Sequence, residues 1–396
     1  MKACFAHDFP MIKDDKGNVY SKGAFPYLVW KRYLKHFDEL TILAREGEKI
    51  NQGTLEVLEY LSLSSGPNVK FVSIPNLSSI KGKILNKKKA KLIIEKELDN
   101  VDVLLTRLPS EVGTLAAKVA IDTNIPYLVE LVGCPFDALR YYGNLKSKIY
   151  APFSMLQTKS IVKDSKYTIY VTRDYLQKKY PTFGKEINIS NVNIKNINKN
   201  ILNSRVETYK NLSNRTLRIG MIGSLNSKYK GFDRAIKYLS KIKPNFNNYE
   251  IYILGGGDKS NFDKVISSNN MQSKVFFEGT RSSGEEVFKW LDKIDLYIHP
   301  SLTEGLPRAL IEALSRGCLA IGSNRGGIPE LLENQYLFNP LDEKSFEKSV
   351  DRALSTAELM EEQVNKNIDK AKEYTISRLS KKRDNFIREF IVESQL

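Results

Sequence analysis

Short apolar runs alternate with longer stretches of mixed polarity along the whole chain. Brief apolar runs bounded by polar turns read as buried strands, while apolar positions recurring every third or fourth residue read as helix faces. In the first half, Lys2–Asp8, Leu40–Arg45, Lys70–Pro75, Val101–Arg107, Pro126–Gly133 and Tyr167–Thr172 predict strands. Ala24–Phe37 and Thr114–Thr123 carry helical periodicity. A stretch rich in Asn and Lys, 191–214, predicts a linker between domains. After it the alternation resumes, with strands at Leu217–Leu225, Glu250–Gly257, Lys274–Thr280, Asp295–Ser301 and Cys318–Asn324. Helices are predicted at Phe232–Ile242, Glu285–Ile294, Pro307–Gly317 and Ile328–Glu333, and a charged helical tail runs from about Lys344 to the end.

Strands alternating with helices give parallel sheets covered on both faces, so the pattern predicts two successive Rossmann-like α/β units. A length of 396 residues is too great for one ordinary core and agrees with two domains. The first unit is placed at 1–205 and the second at 206–375. In such sheets ligands sit beyond the carboxyl ends of the strands, so the loops there are the ones to read.

Composition narrows the class. No window approaches the apolar length of a membrane-spanning helix, and His7, Asp8 and Pro10 break the first apolar run, leaving no signal-peptide core. Cys4, Cys134 and Cys318 lie far apart without metal-ligand spacing, which fits buried fillers in a reducing, cytoplasmic setting. The net charge of +15 is uneven: residues 1–205 hold 32 Lys and Arg against 20 Asp and Glu. Six lysines, Lys81, Lys83, Lys87, Lys88, Lys89 and Lys91, crowd one segment of that basic half. An anionic membrane surface, an anionic substrate or a solvated loop each accounts for such a cluster. No basic motif interleaved with aromatics is present, so a nucleic-acid-binding protein ranks well below an enzyme.

The chemistry concentrates in the second half. Within Pro300–Gly317 a strand ends, Glu304 and Gly305 lie in the loop, and Pro307 opens a helix. The amides of Gly305, Leu306 and the following turn, backed by the helix dipole, predict an anion site. Glu304 and Glu312 flank it, and Glu312 is surrounded by Leu310, Ile311, Ala313 and Leu314, where a carboxylate needs a partner. Phosphate in the middle with hydroxyls at both ends, as in a nucleoside diphosphate sugar, matches that layout. A second loop, Gly223–Gly231, pairs a glycine permitting close approach with Lys230, a cation misplaced at a helix start unless it meets phosphate. Gly255–Gly257 do not form a dinucleotide fingerprint.

Taken together, GSLNSKYKG, EIYILGGG, VFFEGT, DLYIHPSLTEGLPRALIEA and NRGGIPELL resemble, in order, the motifs of glycosyltransferase family 4, whose fold is GT-B. IPYLVELVGCPFDALRYYG, KYTIYVTRDYLQKKYP and ISNVNI resemble the capsular and exopolysaccharide members. The resemblance implies two domains facing across a cleft, with a C-terminal helix, about 376–396, returning to the first. It implies that Glu304 meets donor-sugar hydroxyls, Glu312 the ribose and Lys230 the diphosphate, with Gly223, Ser224, Thr280, Arg281, Gly305, Leu306 and Pro307 completing the donor site. Lys230 and Glu304 are the residues it implies for catalysis, and Gly23, Glu130 and Asp137 fall on the acceptor side. Ser224 stands where many relatives have arginine, which leaves more of the donor charge to Lys230 or Lys228, and Gly133-Cys134-Pro135 replaces a stretch that often holds histidine. Retaining transfer is implied, with the leaving phosphate helping to deprotonate the acceptor. No cofactor beyond the nucleotide-sugar co-substrate is expected. No Asp-x-Asp occurs, so no metal clamp on the diphosphate is expected either. A glycan acceptor on a polyprenyl diphosphate fits the basic half resting on the inner face of the plasma membrane. A nucleotide-sugar epimerase or another GT-B enzyme is the alternative, although no acid/base set for it is evident.

Overall fold

The computed structural model describes residues 1–395 except 24, 51–60, 142–143, 196, 198–199, 213–214 and 243–247. The chain divides into two compact units, one formed by Met1–Pro135, Phe153–Ile189 and Ser380–Leu396, the other by Phe136–Pro152 and Ser190–Leu379.

In the first unit the described residues form nine strands: β1 (Lys2–Asp14), β2 (Val19–Ser21), β3 (Glu39–Ile50), β4 (Ser62–Leu63), β5 (Val69–Ile74), β6 (Val103–Leu108), β7 (Tyr127–Leu131), β8 (Tyr167–Tyr170) and β9 (Lys185–Asn188). The parallel part runs β5-β3-β1-β6-β7-β8-β9, and β2 adds antiparallel to the far end of β1. β6 is buried at every position, as expected of a central parallel strand with helices on both faces. The last helix, from Ser380 onward, belongs to this unit. Asp384 accepts from His36 at 3.1 Å, and Phe386 and Phe390 meet the Tyr167 ring edge-on.

The second unit holds β10 (Leu217–Ile222), β11 (Tyr249–Leu254), β12 (Val275–Phe277), β13 (Leu296–His299), β14 (Leu319–Ser323) and β15 (Leu337–Phe338). Their order is β12-β11-β10-β13-β14-β15, with every pairing parallel. The order reverses between β10 and β13, so the loops after these two strands flank the crevice where ligands bind.

Several expectations need correcting. The segment 191–214 is not a plain linker: Ile201–Lys210 is a helix, and the boundary falls at Ile189 rather than 205. Ile201 and Tyr209 join the second core, and the Arg205 guanidinium donates to the carbonyls of Leu291, Ile294 and Arg316, each at 2.8 Å. Ala24–Phe37 is helical only over Tyr27–Lys31, and Ile328–Glu333 shrinks to a single 3₁₀ turn. The lysine-rich segment is a regular helix, Ile80–Leu98, capped by the Ser79 hydroxyl accepting from the Gly82 amide. Lys83 pairs with Glu111 at 2.6 Å and Lys91 lies 3.5 Å from Glu95, so two of the six lysines are already neutralised.

Candidate active site

The two loops at the reversal of the second sheet are latched to each other. After β10 the chain turns at Gly223, where an added Cβ would stand 3.0 Å from Lys230 Cδ and 3.1 Å from its Cε. Glycine here lets the lysine stem lie flat on the backbone. A turn over Lys228–Lys230 ends at Gly231, whose φ of 72° would be strained for a side chain, and a Cβ there would meet the Pro300 carbonyl at 2.4 Å. Across the gap the Leu302 amide donates to the Tyr229 carbonyl at 2.7 Å.

This latch brings Lys230 and Glu304 together, though 74 positions separate them in sequence. Lys230 Nζ lies 2.5 Å from Glu304 Oε1, with both side chains largely out of solvent. The same oxygen accepts from Ser301 Oγ at 2.9 Å and faces His299 Nε2 at 3.2 Å. His299 Nδ1 faces the Tyr297 hydroxyl at 3.2 Å. Burial alone would raise the Glu304 pKa, but Lys230 and His299 outweigh it and hold the carboxylate well below its ordinary range. Burial likewise opposes the charge on Lys230, and Glu304 restores it. Burial lowers His299 further, so the imidazole is neutral near pH 7; with Tyr297 donating to Nδ1, its Nε2–H points at Glu304. Every contact falls on Oε1, and among the described residues nothing takes Oε2, which remains for a ligand hydroxyl.

The helix Arg308–Ser315 begins directly after this loop, and no side chain caps it at Pro307. Among the described residues no acceptor takes the amides of Gly305 and Leu306, so a row of donors is left for an anion. Gly326, at a φ of 58°, packs against the Glu304 backbone, and Gly327 N donates to the Gly305 carbonyl at 2.9 Å, which braces the row from behind. One turn on, Glu312 is mostly covered; its carbonyl accepts from Ser315 Oγ at 2.6 Å, while its carboxylate has no hydrogen bond or ion pair among the described residues. Burial pushes its pKa up to about 7, against a small opposing pull from Arg308. The Tyr297 phenol feels both Glu312 and Glu304.

Of the other donor-side residues, Thr280 joins the same rim. Gly255 packs on the Gly223 carbonyl, its amide donates to the Gly279 carbonyl at 2.7 Å, and a Cβ at Gly256 would meet Thr280 Cγ2 at 2.9 Å. Arg281 is held by Glu278 at 2.6 Å. Ser224 is exposed and brings no charge; its hydroxyl accepts from the Asn226 amide at 3.3 Å. Sequence reasoning missed His299, Ser301 and Tyr297. The only hint was a histidine closing an otherwise apolar strand.

The residues assigned to the acceptor side fall in both units, Gly23 and Glu130 in the first and Asp137 in the second. Gly23 is a turn glycine at a φ of 74°, and Asp137 lies in the first turn of the helix Pro135–Tyr141. Glu130 is a correction: it lies inside the first core, 2% exposed, with Arg107 Nε and Nη2 donating to Oε2 at 2.8 and 2.6 Å and the Tyr33 hydroxyl to Oε1 at 2.5 Å. Burial would raise its pKa, yet Arg107, aided by Arg383 and Tyr33, holds it at about 2. Glu130 and Arg107 face each other across β6 and β7, so register creates this pair. Glu130→Gln is expected to destabilise the fold by about 3–5 kcal/mol, because it leaves a buried guanidinium uncompensated. Nucleotide affinity should stay unchanged. Chemical denaturation beside calorimetry checks both.

Comparison with known proteins gives the family and the fold. Residues 207–371 match the family "Glycosyl transferases group 1". Protein CapJ of Staphylococcus aureus is 35% identical over 387 residues, 97% of this chain and 94% of that one. The amylovoran biosynthesis glycosyltransferase AmsK of Erwinia amylovora is 34% identical over 125 residues, 30% of each chain. Among solved structures, Anabaena Alr3699/HepE in complex with UDP and glucose superposes with a TM-score of 0.64 at 14% identity, covering 98% of this chain and 100% of that one. The fold is GT-B, and with 35% identity to one relative along nearly the whole of both chains the chain belongs to the group 1 glycosyl transferases, as an enzyme of the capsular and exopolysaccharide type.

Proposed function

We propose that the enzyme transfers a sugar, with retention of configuration and without a metal or other cofactor, from a nucleoside diphosphate sugar to a glycan acceptor carried on a polyprenyl diphosphate, in surface polysaccharide synthesis at the cytoplasmic face of the membrane. The observation that carries the donor side is a row of uncapped amides with Lys230 and Glu304 on one side and, one turn along the helix, a Glu312 carboxylate with no hydrogen bond or ion pair among the described residues. The HepE structure with UDP and glucose supports a donor of this class. In the reaction, the bond from the sugar's anomeric carbon to the diphosphate oxygen breaks, and one to an acceptor hydroxyl oxygen forms. The hydroxyl proton passes to the departing phosphate oxygen, which lies on the same face. Charge grows on that phosphate, where Lys230 and the amides at Gly305 and Leu306 stand ready without reorganisation. Glu304 Oε2 accepts from a sugar hydroxyl and fixes the ring, with His299 and Ser301 holding the other oxygen. Glu312 accepts from the ribose.

A thermal-shift panel of UDP-, GDP-, dTDP- and ADP-sugars tests the donor class: one base should stabilise the protein and the others should not. Stabilisation by none of them sinks the reading. Transfer is expected to persist in excess EDTA. Loss of activity on chelation, restored by magnesium or manganese, overturns metal independence.

A further inference from the structure

The outer face of the helix Ile80–Leu98 has an unusual composition. Its inner face is ordinary: Ala90, Ile94 and Leu98 enter the core beside Cys4, Leu43 and Ile74. Its outer face presents Ile84, Leu85 and Leu92 to water at 75%, 65% and 58% exposure. Spacings of three, four and seven place Lys81, Lys88 and Lys96 on that same stripe, with Lys89 at its edge. Leu85, Lys88, Lys89, Leu92, Ile93 and Lys96 line a shallow groove there. Whereas Lys83 and Lys91 have carboxylate partners, Lys81, Lys88, Lys89 and Lys96 have no ion pair among the described residues. Exposed leucines weaken a soluble fold and unpaired lysines add repulsion, so one helix face combines two features that folding alone does not favour. A surface that is apolar beneath and anionic above satisfies both.

We infer that this helix lies flat in the interface of an anionic membrane, with Leu85 and Leu92 below the headgroups and Lys81, Lys88, Lys89 and Lys96 among them. The inference deepens the peripheral location proposed above and rests on that reading. It differs from a purely electrostatic contact in one consequence: salt weakens the attachment without abolishing it. The lysine term falls with screening, whereas burial of leucine does not.

The test is flotation of the full chain with vesicles of phosphatidylcholine and phosphatidylglycerol in equal parts, or of phosphatidylcholine alone, in low salt and in 1 M salt, where the Debye length is about 3 Å. The native chain should bind the mixed vesicles, keep part of that binding in 1 M salt, and bind neutral vesicles at least about tenfold less. Leu85→Ser/Leu92→Ser should bind mixed vesicles about tenfold or more weakly in low salt and not at all in 1 M salt. Lys88→Gln/Lys89→Gln should lose much of the preference for the anionic surface. All four substitutions fall on exposed positions, and unchanged thermal unfolding with unchanged nucleotide affinity would show fold and donor site intact. A Leu92→Cys variant carrying an environment-sensitive dye should shift to the blue on the mixed vesicles. Native-like binding by the leucine variant, or a dye that stays in water, overturns the insertion while leaving electrostatic attachment standing. Equal binding to both vesicle types, or binding to neither, overturns the surface itself; self-association that buries the dye without vesicles assigns the face to a second copy instead.

Discussion

Lys230→Met is expected to lower kcat by about two to three orders of magnitude while changing donor affinity far less, because the phosphate's charge is greatest when the glycosidic bond is breaking. Two consequences of the substitution must be separated. The ammonium is lost to the leaving group, and Glu304 loses the cation that keeps it ionised in a covered site. The second effect alone should destabilise the protein by roughly 3 kcal/mol, at the low end for a buried pair because neither group is wholly enclosed. Lys230→Met/Glu304→Gln removes the orphaned charge, so thermal stability should return toward that of the native chain while turnover stays low. Ser224 adds weight to the prediction, since that position carries no cation that could substitute. A Lys230→Met enzyme with native kcat at saturating donor would reduce Lys230 to the partner of Glu304 and nothing more.

How much of this was legible in sequence follows from where burial lies. β6 and β7 read clearly as strands because they are enclosed on both faces and are therefore mostly apolar, apart from the Arg107–Glu130 pair and its neighbours. The helix Ile80–Leu98 did not, because its apolar residues are divided between the core face and the exposed face, which erases the single stripe that marks a helix. Leu145–Asp164 was hidden similarly: it leaves Leu145, Ile149, Phe153 and Leu156 exposed and carries Pro152 in its interior. Asn and Lys on the outside of Ile201–Lys210 disguised a helix whose inward positions, Ile201, Arg205 and Tyr209, recur every fourth residue. In the site, Glu304, Glu312 and Lys230 stood out because each charge conflicts with its local context. His299 did not, since its role depends on the loop folding back to bring Glu304 within 3.2 Å. Glu130 drew attention for the right reason, a carboxylate in an apolar strand, but Arg107 answers that charge from the neighbouring strand, and only strand register reveals such a partner.

Glu312 should show the opposite balance from Lys230, a residue that costs stability and serves binding. Its carboxyl has an ordinary pKa of 4.5, raised to about 7 by burial without a partner. A folded-state pKa above the unfolded one favours the neutral form, so this group's contribution is fully present below about pH 4.5 and is lost as pH rises through 7. At pH 8 the ligand-free protein should therefore carry a penalty of roughly 1–3 kcal/mol, less than the full shift implies because the group is not entirely sealed. Glu312→Gln keeps the shape and removes the charge, so its melting temperature should exceed the native value at pH 8 and approach it below about pH 4.5. Donor binding should move the other way. Ribose hydroxyls donate, so the ionised carboxylate is the form that receives them, and affinity for the nucleotide should fall about tenfold between pH 8 and pH 6. The diester phosphates of a sugar nucleotide stay ionised across that window, and burial sets His299 to titrate below the ordinary imidazole range, so neither produces the same slope. In Glu312→Gln the affinity should be lower by roughly 1.5–3 kcal/mol at pH 8, and flat with pH. Calorimetry and thermal unfolding at pH 6 and pH 8 on both proteins read out each part. A variant that is stabilised at pH 8 yet binds nucleotide like the native enzyme would leave the buried carboxylate real but remove the ribose from it; a native protein with no pH slope in either measurement would mean that Glu312 is neither strained nor used.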